Sequence, residues 1–310
     1  MHSLPAHSCK KWAIWSYRLR LTKPLAVLGE NVSHREGWIV GRWNTTREHW
    51  EYGEVAPLPS FHQVSMRRVY EDLIQTFRDH HPPQTALVQT LFDVWEIKPD
   101  TGLIKINGLL GSNNDSPTSL VVKVKLGRQS LSEDCRYIQH LQTTYPQIQW
   151  RLDCNRQWSK EQLRSFWDVC DHDRILYIED PLRDPREMID CPEIPFALDE
   201  SLSDYTELLE SPNVVAAIIK PTLHHHWKKI LSQYDIEGIF SSTFEGSLGI
   251  WGLGQLARQH HPHGTHGLGT LGWFGQECVN QPLNEQPGLL SLPKDPPTPL
   301  FSVLHWEDGV

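Results

Sequence analysis

The chain has 310 residues and a mass of 35.8 kDa, which suggests one large α/β domain or two linked domains. Hydrophobic residues make up 39% and charged residues 22%, which is typical of a globular protein and excludes a disordered one. The 29 basic and 38 acidic residues give a formal charge of −9, which argues against a nucleic acid or an anionic membrane as partner. The 17 histidines suggest a histidine-rich metal site as a first hypothesis.

Neither a membrane span nor a secretory signal is indicated. No apolar run reaches the ~18–20 residues of a spanning helix, and residues 1–15 lack the apolar core of a signal peptide. The cysteines are scattered without a C-x-x-C pair, so we expect free thiols in a reducing cytosol rather than a disulfide framework. They are Cys9, Cys135, Cys154, Cys170, Cys191 and Cys278. The sequence therefore predicts a cytoplasmic protein.

The first hundred residues predict an α+β domain, here placed at 1–100. The stretches 12–22 and 37–43 are rich in aromatic and β-branched residues and predict strands. Apolar residues with helical spacing between Met66 and Phe77 predict a helix, which His80-His81-Pro82-Pro83 ends.

From about residue 104, short apolar runs alternate with helical segments. The predicted strands are 121–126, 148–153, 175–179, 196–199, 215–220 and 236–242. The predicted helices are 132–144, 159–170, 204–209, 225–234 and 248–259. Strand–helix repeats without a glycine-rich phosphate loop predict a parallel barrel that spans residues 101–275. A doubly wound sheet remains an alternative, because periodicity alone does not show that the sheet closes. The proline-rich segment 276–310 is expected to pack back on the N-terminal domain.

Charged residues stand at or near the ends of the first five predicted barrel strands. They are Lys123 and Lys125, then Asp153, Glu179, Asp199 and Lys220. In a parallel barrel these ends share the C-terminal rim, where active sites are built. Neighbouring strands are ~4.8 Å apart, so the three carboxylates can converge on one cation.

This set of residues predicts a particular chemistry. Carboxylate oxygens suit Mg²⁺, with Mn²⁺ as an alternative ion, and the absence of cysteine and histidine from the set argues against Zn²⁺. Nearby positive charges lower the pKa of an amine, so a lysine beside the metal can act as a base. A metal and an amine base are what proton removal α to a carboxylate requires. The partner is therefore expected to be a small carboxylate substrate.

The ordered set Lys-x-Lys, Asp, Glu, Asp and Lys resembles the enolase superfamily, in its muconate-lactonising-type subgroup. Further segments are similar to the o-succinylbenzoate synthase family within it. These segments are 35–37, 53–59, 106–110, 151–156 with Trp158, 178–181, 197–201, 219–221, 241–245 and 247–249. The resemblance implies a modified (β/α)7β TIM-type barrel with an N-terminal α+β capping domain.

The resemblance also implies a reaction. The family dehydrates 2-succinyl-6-hydroxy-2,4-cyclohexadiene-1-carboxylate to o-succinylbenzoate, on the route to menaquinone or phylloquinone, as a carbon–oxygen lyase. It implies that Asp153, Glu179 and Asp199 hold Mg²⁺. It further implies that Lys125 is the base and Lys220 stabilises the enediolate, while Lys123 supports Lys125.

The implied substrate-binding residues come from the same motifs. They are Ser241, Ser242, Arg151, Asn155, Gly264, Gly267 and Gly269. Gly269 stands where this family often has an acidic residue, and Gly246 where a serine is common, so these two positions bear on substrate fit.

Two other functions are compatible with these residues. An N-succinylamino-acid racemase or dipeptide epimerase would use the same two lysines to exchange protons at one carbon. A catalytically silent barrel would use the site for binding only, but buried charges are costly to keep without a role. The sequence decides neither the oligomeric state nor side activities.

The histidine segments predict less. The run 224–226 begins a predicted helix, and consecutive helical side chains point in different directions, so we expect a solvated helix start. The segment 260–266 lacks the H-E-x-x-H spacing and is expected to be a loop. No histidine belongs to the predicted site, so the histidine-rich hypothesis is set aside.

Overall fold

An antiparallel sheet with two helices forms the N-terminal part of the molecule. The computed structural model describes residues 11–27, 29–110, 116–117 and 119–309. The N-terminal elements are β1 (Trp12–Val27), β2 (Glu30–Asn44), β3 (His49–Val55), α1 (Met66–Phe77) and α2 (Ala86–Glu96). The strands predicted over 12–22 and 37–43 and the helix over 66–77 are confirmed. Both strands run further than predicted, because β1 and β2 form one long hairpin from Trp12–Arg42 to Val27–Glu30.

Both helices begin at residues that cap them. The side chain of Ser65 accepts a hydrogen bond from the Arg68 amide at the start of α1, and Thr85 does the same for Val88 at the start of α2. Apolar residues of the helices, Leu73 and Leu91 among them, pack against one face of the sheet. The sheet and its helices therefore have a core of their own.

Parallel strands alternating with helices or turns make up the second part. They are β4 (Gly102–Ile106), β5 (Gly108–Leu110), β6 (Val121–Lys125), α3 (Leu131–Thr144), β7 (Gln149–Asp153), α4 (Lys160–Trp167), β8 (Ile175–Glu179), β9 (Phe196–Leu198), β10 (Val214–Ile219), α5 (Trp227–Gln233), β11 (Glu237–Phe240), α6 (Ser247–His260) and β12 (Thr265–His266). All six predicted strands form, with ends that differ by one or two residues. The sheet runs in the order β11-β10-β9-β8-β7-β6-β5, so neighbours along the chain are neighbours in space.

Backbone hydrogen bonds close this sheet into a barrel. On one side the Gly267 amide donates to the Phe240 carbonyl at 2.8 Å. On the other side the Asn107 amide donates to the His266 carbonyl at 2.9 Å, and β12 pairs in parallel with β4. The predicted capped TIM-type barrel is confirmed, and the doubly wound alternative is excluded because an open sheet has two free edges.

One predicted helix is wrong. The stretch 204–209 contains a 3₁₀ turn, Thr206–Glu210, and two further 3₁₀ turns, Pro185–Asp190 and Glu200–Ser203, lie before it. The Leu208 amide bonds to the Tyr205 carbonyl three residues back. The connection between β9 and β10 therefore consists of two successive 3₁₀ turns and not of an α-helix.

Strand periodicity places the charged residues inside the barrel. On β6 and β7 the residues Val122, Val124 and Leu152 belong to the apolar core that packs against α3 and α4. The alternate residues, such as Lys123 and Asp153, therefore point to the barrel interior. Since all strands are parallel, their last interior residues meet at one rim.

The C-terminal segment returns to both parts of the molecule. It forms β13 (Glu285–Gln286), β14 (Leu289–Leu292) and β15 (His305–Gly309). β14 pairs antiparallel with β4, and β15 pairs antiparallel with β1, at the edge of the N-terminal sheet. The segment therefore connects the barrel wall to the N-terminal sheet.

Free thiols are found throughout the described ranges, as predicted. The free cysteines are Cys135, Cys154, Cys170, Cys191 and Cys278. Cys9 lies outside the described residues. The same holds for most of residues 1–15, where we expected no signal peptide. Among the helices of these ranges, none is both long and apolar enough to cross a bilayer.

Candidate active site

Three buried carboxylates meet at the C-terminal rim of the barrel. Asp153 ends β7, Glu179 ends β8 and Asp199 follows β9, so adjacent strands supply them. Each of the three is 2% exposed, and their ligand oxygens lie within 4.8 Å of one another. The parallel register sets Asp153 directly beside Glu179, which is why the two side chains converge.

Lysines stand on both sides of the carboxylates. Lys125 lies on β6 and Lys220 directly follows β10, and these strands flank the three that carry the carboxylates. The Nζ atom of Lys125 lies 3.1 Å from Oδ2 of Asp153, and Lys220 forms an ion pair with Asp199. A molecule bound over the carboxylates would therefore have an ammonium or amine group on each side.

Lys123 lies two residues before Lys125 on β6, so both side chains point to the barrel interior. Its Nζ atom is 2.9 Å from Oδ2 of Asp153, and it also forms an ion pair with Glu179. Three lysines and three carboxylates thus form one partly buried charged cluster. Buried charges that are paired in this way avoid most of the penalty for leaving water.

The charges shift the pKa values within the cluster. Burial lowers the pKa of Lys123, but the carboxylates of Asp153 and Glu179 outweigh it and hold this pKa well above its ordinary value. The pKa of Lys220 is also raised, because Asp199 and Glu200 outweigh the effect of burial. Burial raises the pKa of Glu179 to about 7, although Lys123 opposes the shift. The pKa of Asp153 is lowered, since the two neighbouring lysines outweigh its burial.

The donor set fits a hard divalent cation. Within the described part of the chain, these three carboxylates are the one group of histidine, cysteine or acidic residues close enough to share an ion. Carboxylate oxygens are the ligands that Mg²⁺ prefers, and three of them leave coordination positions for water or substrate. The site could therefore hold Mg²⁺ at Asp153, Glu179 and Asp199.

Two residues with a predicted role in substrate binding lie near the cluster. Arg151 lies two residues before Asp153 on β7 and is 3% exposed. It donates a hydrogen bond to Oδ1 of Asn107 at 3.0 Å, and its guanidinium lies over the ring of Tyr177. Asn155 accepts a hydrogen bond from Lys125 at 3.4 Å and donates to Glu200 at 3.2 Å. The structure thus brings Asn155 to the lysine, and encloses Arg151 within the barrel.

The other predicted substrate-binding residues lie where the barrel closes. Ser241 and Gly267 pair as a bridge between the ends of β11 and β12, and the hydroxyl of Ser242 bonds to that of Thr270. A Cβ atom on Gly267 would lie 2.7 Å from Oγ of Ser241, so glycine allows the close approach of these two strands with Ser241 in its present position. Gly269 follows this strand, whereas Gly264 precedes it and lies towards the other end of the barrel.

The N-terminal part contributes to the site through the segment between β3 and α1. The ring of Phe61 lies 5.0 Å from Nζ of Lys220. Arg35, which is 1% exposed, donates to the carbonyls of Pro57 at 2.6 Å and Phe244 at 2.9 Å, so it ties this segment to the barrel. The sequence motif at 53–59 marked this region, but no sequence signal indicated the contact of Phe61 with the barrel.

Glu54 is a second link between the two parts. Its carboxylate accepts hydrogen bonds from the amides of Gly246 at 2.9 Å and Gly249 at 2.8 Å, at the start of α6, and from the hydroxyl of Tyr17. A carboxylate at a helix N-terminus is favourable, because free amides and the helix dipole point at it. A Cβ atom on Gly246 would lie 3.3 Å from this carboxylate, so a larger residue there would require a small shift of Glu54.

The predicted solvated helix start at 224–226 is wrong for its first residue. His224 is 4% exposed, and its Nδ1 atom accepts a hydrogen bond from the Lys220 amide at 3.3 Å. Burial lowers its pKa to about 4. Because α5 begins only at Trp227, the histidine run forms the connection after Lys220, with His225 and His226 exposed.

The segment 260–266 is partly a strand. His266 belongs to β12 and is fully buried; its Nδ1 atom accepts from the Phe240 amide at 3.1 Å and its Nε2 atom lies 3.0 Å from the His261 carbonyl. The loop prediction is therefore wrong for the strand residues, of which His266 stabilises the closure of the barrel, and for His260, which ends α6.

Comparisons with known proteins agree with this geometry. Residues 120–225 match the family model "Enolase C-terminal domain-like", and residues 9–91 match "MenC, N-terminal domain". The chain is similar to the enolase superfamily over the barrel segment. The resemblance to this superfamily that the sequence motifs indicated, and the expectation of an enzyme, are confirmed.

Two curated relatives are o-succinylbenzoate synthases. The chain is 26% identical to an o-succinylbenzoate synthase of Pasteurella multocida (strain Pm70), over 87% of this chain and 92% of that protein. It is 27% identical to an o-succinylbenzoate synthase of Edwardsiella ictaluri (strain 93-146), over 83% of this chain and 89% of that protein. The predicted resemblance to this family is confirmed.

Solved structures share the fold. The L-Ala-D/L-Glu epimerase from Bacillus subtilis aligns with a TM-score of 0.76 at 16% identity, covering 94% of this chain and 98% of that one. The o-succinylbenzoate synthase from Thermosynechococcus elongatus BP-1, complexed with Mg in its active site, aligns with a TM-score of 0.67 at 19% identity, covering 83% and 92%. At these identities the likeness concerns the fold alone, and the two proteins have different activities.

Proposed function

We propose that this chain is an Mg²⁺-dependent o-succinylbenzoate synthase. It would dehydrate 2-succinyl-6-hydroxy-2,4-cyclohexadiene-1-carboxylate to o-succinylbenzoate, on a route to menaquinone or phylloquinone. The observation that carries the proposal is the placement of Lys125 and Lys220 on opposite sides of the carboxylates Asp153, Glu179 and Asp199. The names of the curated relatives support this reaction over others of the superfamily.

The proposed reaction removes one proton and one hydroxide from neighbouring carbons. Asp153, Glu179 and Asp199 would hold Mg²⁺, which supplies positive charge for the substrate carboxylate when bound. Lys125, as the free amine, removes the α-proton, and the electron pair of the C–H bond enters the enediolate. The enediolate then expels hydroxide, which takes the proton from Lys125 and leaves as water, so that the ring becomes aromatic.

The remaining residues support this step. Lys220 stays protonated on the opposite face and stabilises the negative charge of the enediolate. Its raised pKa agrees with that role, since Asp199 and Glu200 keep it charged at neutral pH. Lys123 pairs with Asp153 and Glu179 and so holds two of the carboxylates in place. The ends of β11 and β12 around Ser241, Ser242 and Gly267 would hold the succinyl chain.

Further parts of the proposal concern the whole chain. We assign residues 1–100 to a cap, 101–275 to the barrel and 276–310 to a segment that packs back on the cap. We also propose a cytoplasmic location, which cell fractionation tests. Mn²⁺ should replace Mg²⁺, because both ions accept oxygen ligands in octahedral geometry.

A racemase or epimerase is the second candidate. Lysines on both sides of the carboxylates could remove a proton from one face of a carbon and return it to the other. This geometry is equally suited to an N-succinylamino-acid racemase or a dipeptide epimerase. A silent binding barrel is disfavoured, because its buried charges would have a cost without a reaction to justify them.

An assay with three substrates separates these functions. Purified protein with Mg²⁺ is given the cyclohexadiene substrate, an N-succinylamino acid and a dipeptide, and aromatic product and change of chirality are followed. Aromatic product without racemisation supports the synthase, and racemisation alone contradicts it. The control is Lys229→Ala, which removes an exposed lysine of α5 and should leave all rates unchanged.

A further inference from the structure

Asp180 lies beside the proposed metal site without belonging to it. It follows Glu179 at the end of β8 and is 0% exposed. Its φ of 37° lies in the left-handed region, which is unfavourable for a residue with a side chain. A buried carboxylate on a strained backbone at this rim calls for a structural or functional reason.

The carboxylate of Asp180 binds the loop that carries Asp199. Its Oδ2 atom accepts hydrogen bonds from the Ser201 amide at 2.9 Å and from the Asp199 amide at 3.3 Å. Its Oδ1 atom accepts a hydrogen bond from the Ser201 hydroxyl. Hydrogen bonds to an ionised acceptor are about twice as strong as neutral ones, so this side chain fixes the backbone after β9.

The backbone of Asp180 connects to the strands on both sides. Its amide donates to the Ala197 carbonyl on β9 at 3.1 Å, and its carbonyl accepts from the Arg156 amide, in the loop after β7, at 2.6 Å. One residue thus bonds to the ends of β7 and β9 while it continues β8. These are the three strands that carry Asp153, Glu179 and Asp199.

We propose that Asp180 is a positioning residue that sets the spacing of the three metal-binding carboxylates. It would act on Glu179 through the chain and on Asp199 through the hydrogen bonds of its side chain. This inference rests on the proposed function, since it assumes the metal site at Asp153, Glu179 and Asp199. Residues that orient metal ligands affect metal affinity by about 10- to 100-fold when changed.

Asp180→Asn tests the inference. The asparagine side chain has nearly the same shape as the aspartate side chain. Its NH₂ group is a donor, however, and would face backbone amides or a hydroxyl that are donors themselves. Binding of Mn²⁺ to the purified protein without substrate is followed by electron paramagnetic resonance. We expect the Kd for Mn²⁺ to rise about 10- to 100-fold, with an unchanged circular dichroism spectrum. We also expect part of the lost activity to return at high Mg²⁺, which a general folding defect would not allow.

Matched variants complete the experiment. Asp190→Asn removes an exposed aspartate that pairs with Lys160, and should leave the Kd unchanged. Ser201→Ala removes a single donor to Asp180 and should raise the Kd by a smaller factor. An unchanged Kd in folded Asp180→Asn overturns the inference. If Asp180→Asn does not fold, Ser201→Ala decides, and an unchanged Kd there overturns the inference.

The readout separates this inference from the proposed reaction. If the wild-type protein binds Mn²⁺ but forms no o-succinylbenzoate, the proposed reaction fails while the comparison of Kd values still decides the role of Asp180. If the wild-type protein binds no Mn²⁺, the metal site itself is wrong, and the inference falls with it.

Discussion

The Nζ atom of Lys125 lies 3.1 Å from Oδ2 of Asp153, so the proposed base and a proposed metal ligand are in direct contact. Lys123 approaches the same oxygen at 2.9 Å. A cation held by Asp153 would compete with both ammonium groups for that oxygen. Metal binding and the state of the base are therefore coupled in this site, which leads to the first prediction.

Lys125→Ala should abolish turnover and leave metal binding intact. Loss of a general base costs about 10²- to 10⁴-fold in rate. Since the variant removes a competitor for Asp153, its affinity for Mg²⁺ should be equal to or higher than that of the wild type. Steady-state kinetics and titration calorimetry measure the two effects. Lys160→Ala, which removes a partly exposed lysine that pairs with Asp190 away from the site, is the control. Near-normal turnover in Lys125→Ala would mean that another group is the base.

Asp199→Asn should weaken metal binding and reduce the stability of the rim. The variant removes one of three carboxylates and leaves Lys220, whose side chain is 7% exposed, without its ion-pair partner. Breaking a buried ion pair by removing one partner costs about 3–5 kcal/mol. Calorimetry with Mg²⁺ and urea unfolding test both effects, with the exposed Asp204→Asn as control. An unchanged Mg²⁺ dependence would refute the assignment of Asp199 as a ligand.

Glu54→Gln should loosen the connection between the N-terminal part and the barrel. The amide offers one oxygen instead of two to the amides of Gly246 and Gly249. Leaving a buried donor without its acceptor costs about 1–3 kcal/mol, which urea unfolding measures. We also expect a higher KM, because Phe61 approaches Lys220 from the segment that follows β3.

A surface variant on the same sheet controls for the loss of charge at Glu54. Glu36 is half-exposed and pairs with Arg18, so Glu36→Gln should change stability by at most about 0.5 kcal/mol. If Glu54→Gln is no less stable than Glu36→Gln, the hydrogen bonds to α6 do not hold the two parts together.

Stability should fall in mild acid because of His266. Burial lowers the pKa of His266 from its ordinary value of 6.5 to about 4. Between these two values the unfolded chain binds the proton and the folded chain does not, so the free energy of unfolding decreases as the pH falls from 6.5 to 4. Above pH 6.5 the residue is neutral in both states and adds no pH dependence.

His266→Asn isolates this contribution. The side-chain oxygen of asparagine can still accept from the Phe240 amide, but it does not titrate. The loss of stability between pH 7 and pH 4 should be smaller in the variant, by about 3 kcal/mol at most. Urea unfolding at several pH values measures it. If the free energy of unfolding depends equally on pH in the wild type and the variant, His266 takes up its proton at the same pH in the folded and unfolded states.

Local patterns were sufficient to predict the parallel strands and their charged rim, while the choice of a barrel over a doubly wound sheet came from the family resemblance. Alternation on strands such as β6, and charged ends such as Asp153 and Glu179, depend only on neighbouring residues, and both are found where expected. The patterns assigned no element to 86–96, which forms α2, because its buried face is defined by contact with the sheet. Propensity also misled at 204–209, where the connection between β9 and β10 forms 3₁₀ turns instead of the predicted α-helix.

Contacts between distant segments were not predictable. Phe61 meets Lys220 across 159 positions of chain, and Glu54 meets Gly246 only because the N-terminal part folds over the barrel. His224 looked like a surface residue beside two other histidines, but the connection after Lys220 turns it inward. Such contacts depend on the packing of whole elements, which no local pattern records.

A crystal structure with Mg²⁺ and o-succinylbenzoate bound tests the central claim most directly. We expect Mg²⁺ on the carboxylates of Asp153, Glu179 and Asp199, with the product between Lys125 and Lys220. An ion held by other residues, or a product with both lysines on the same face, would contradict it.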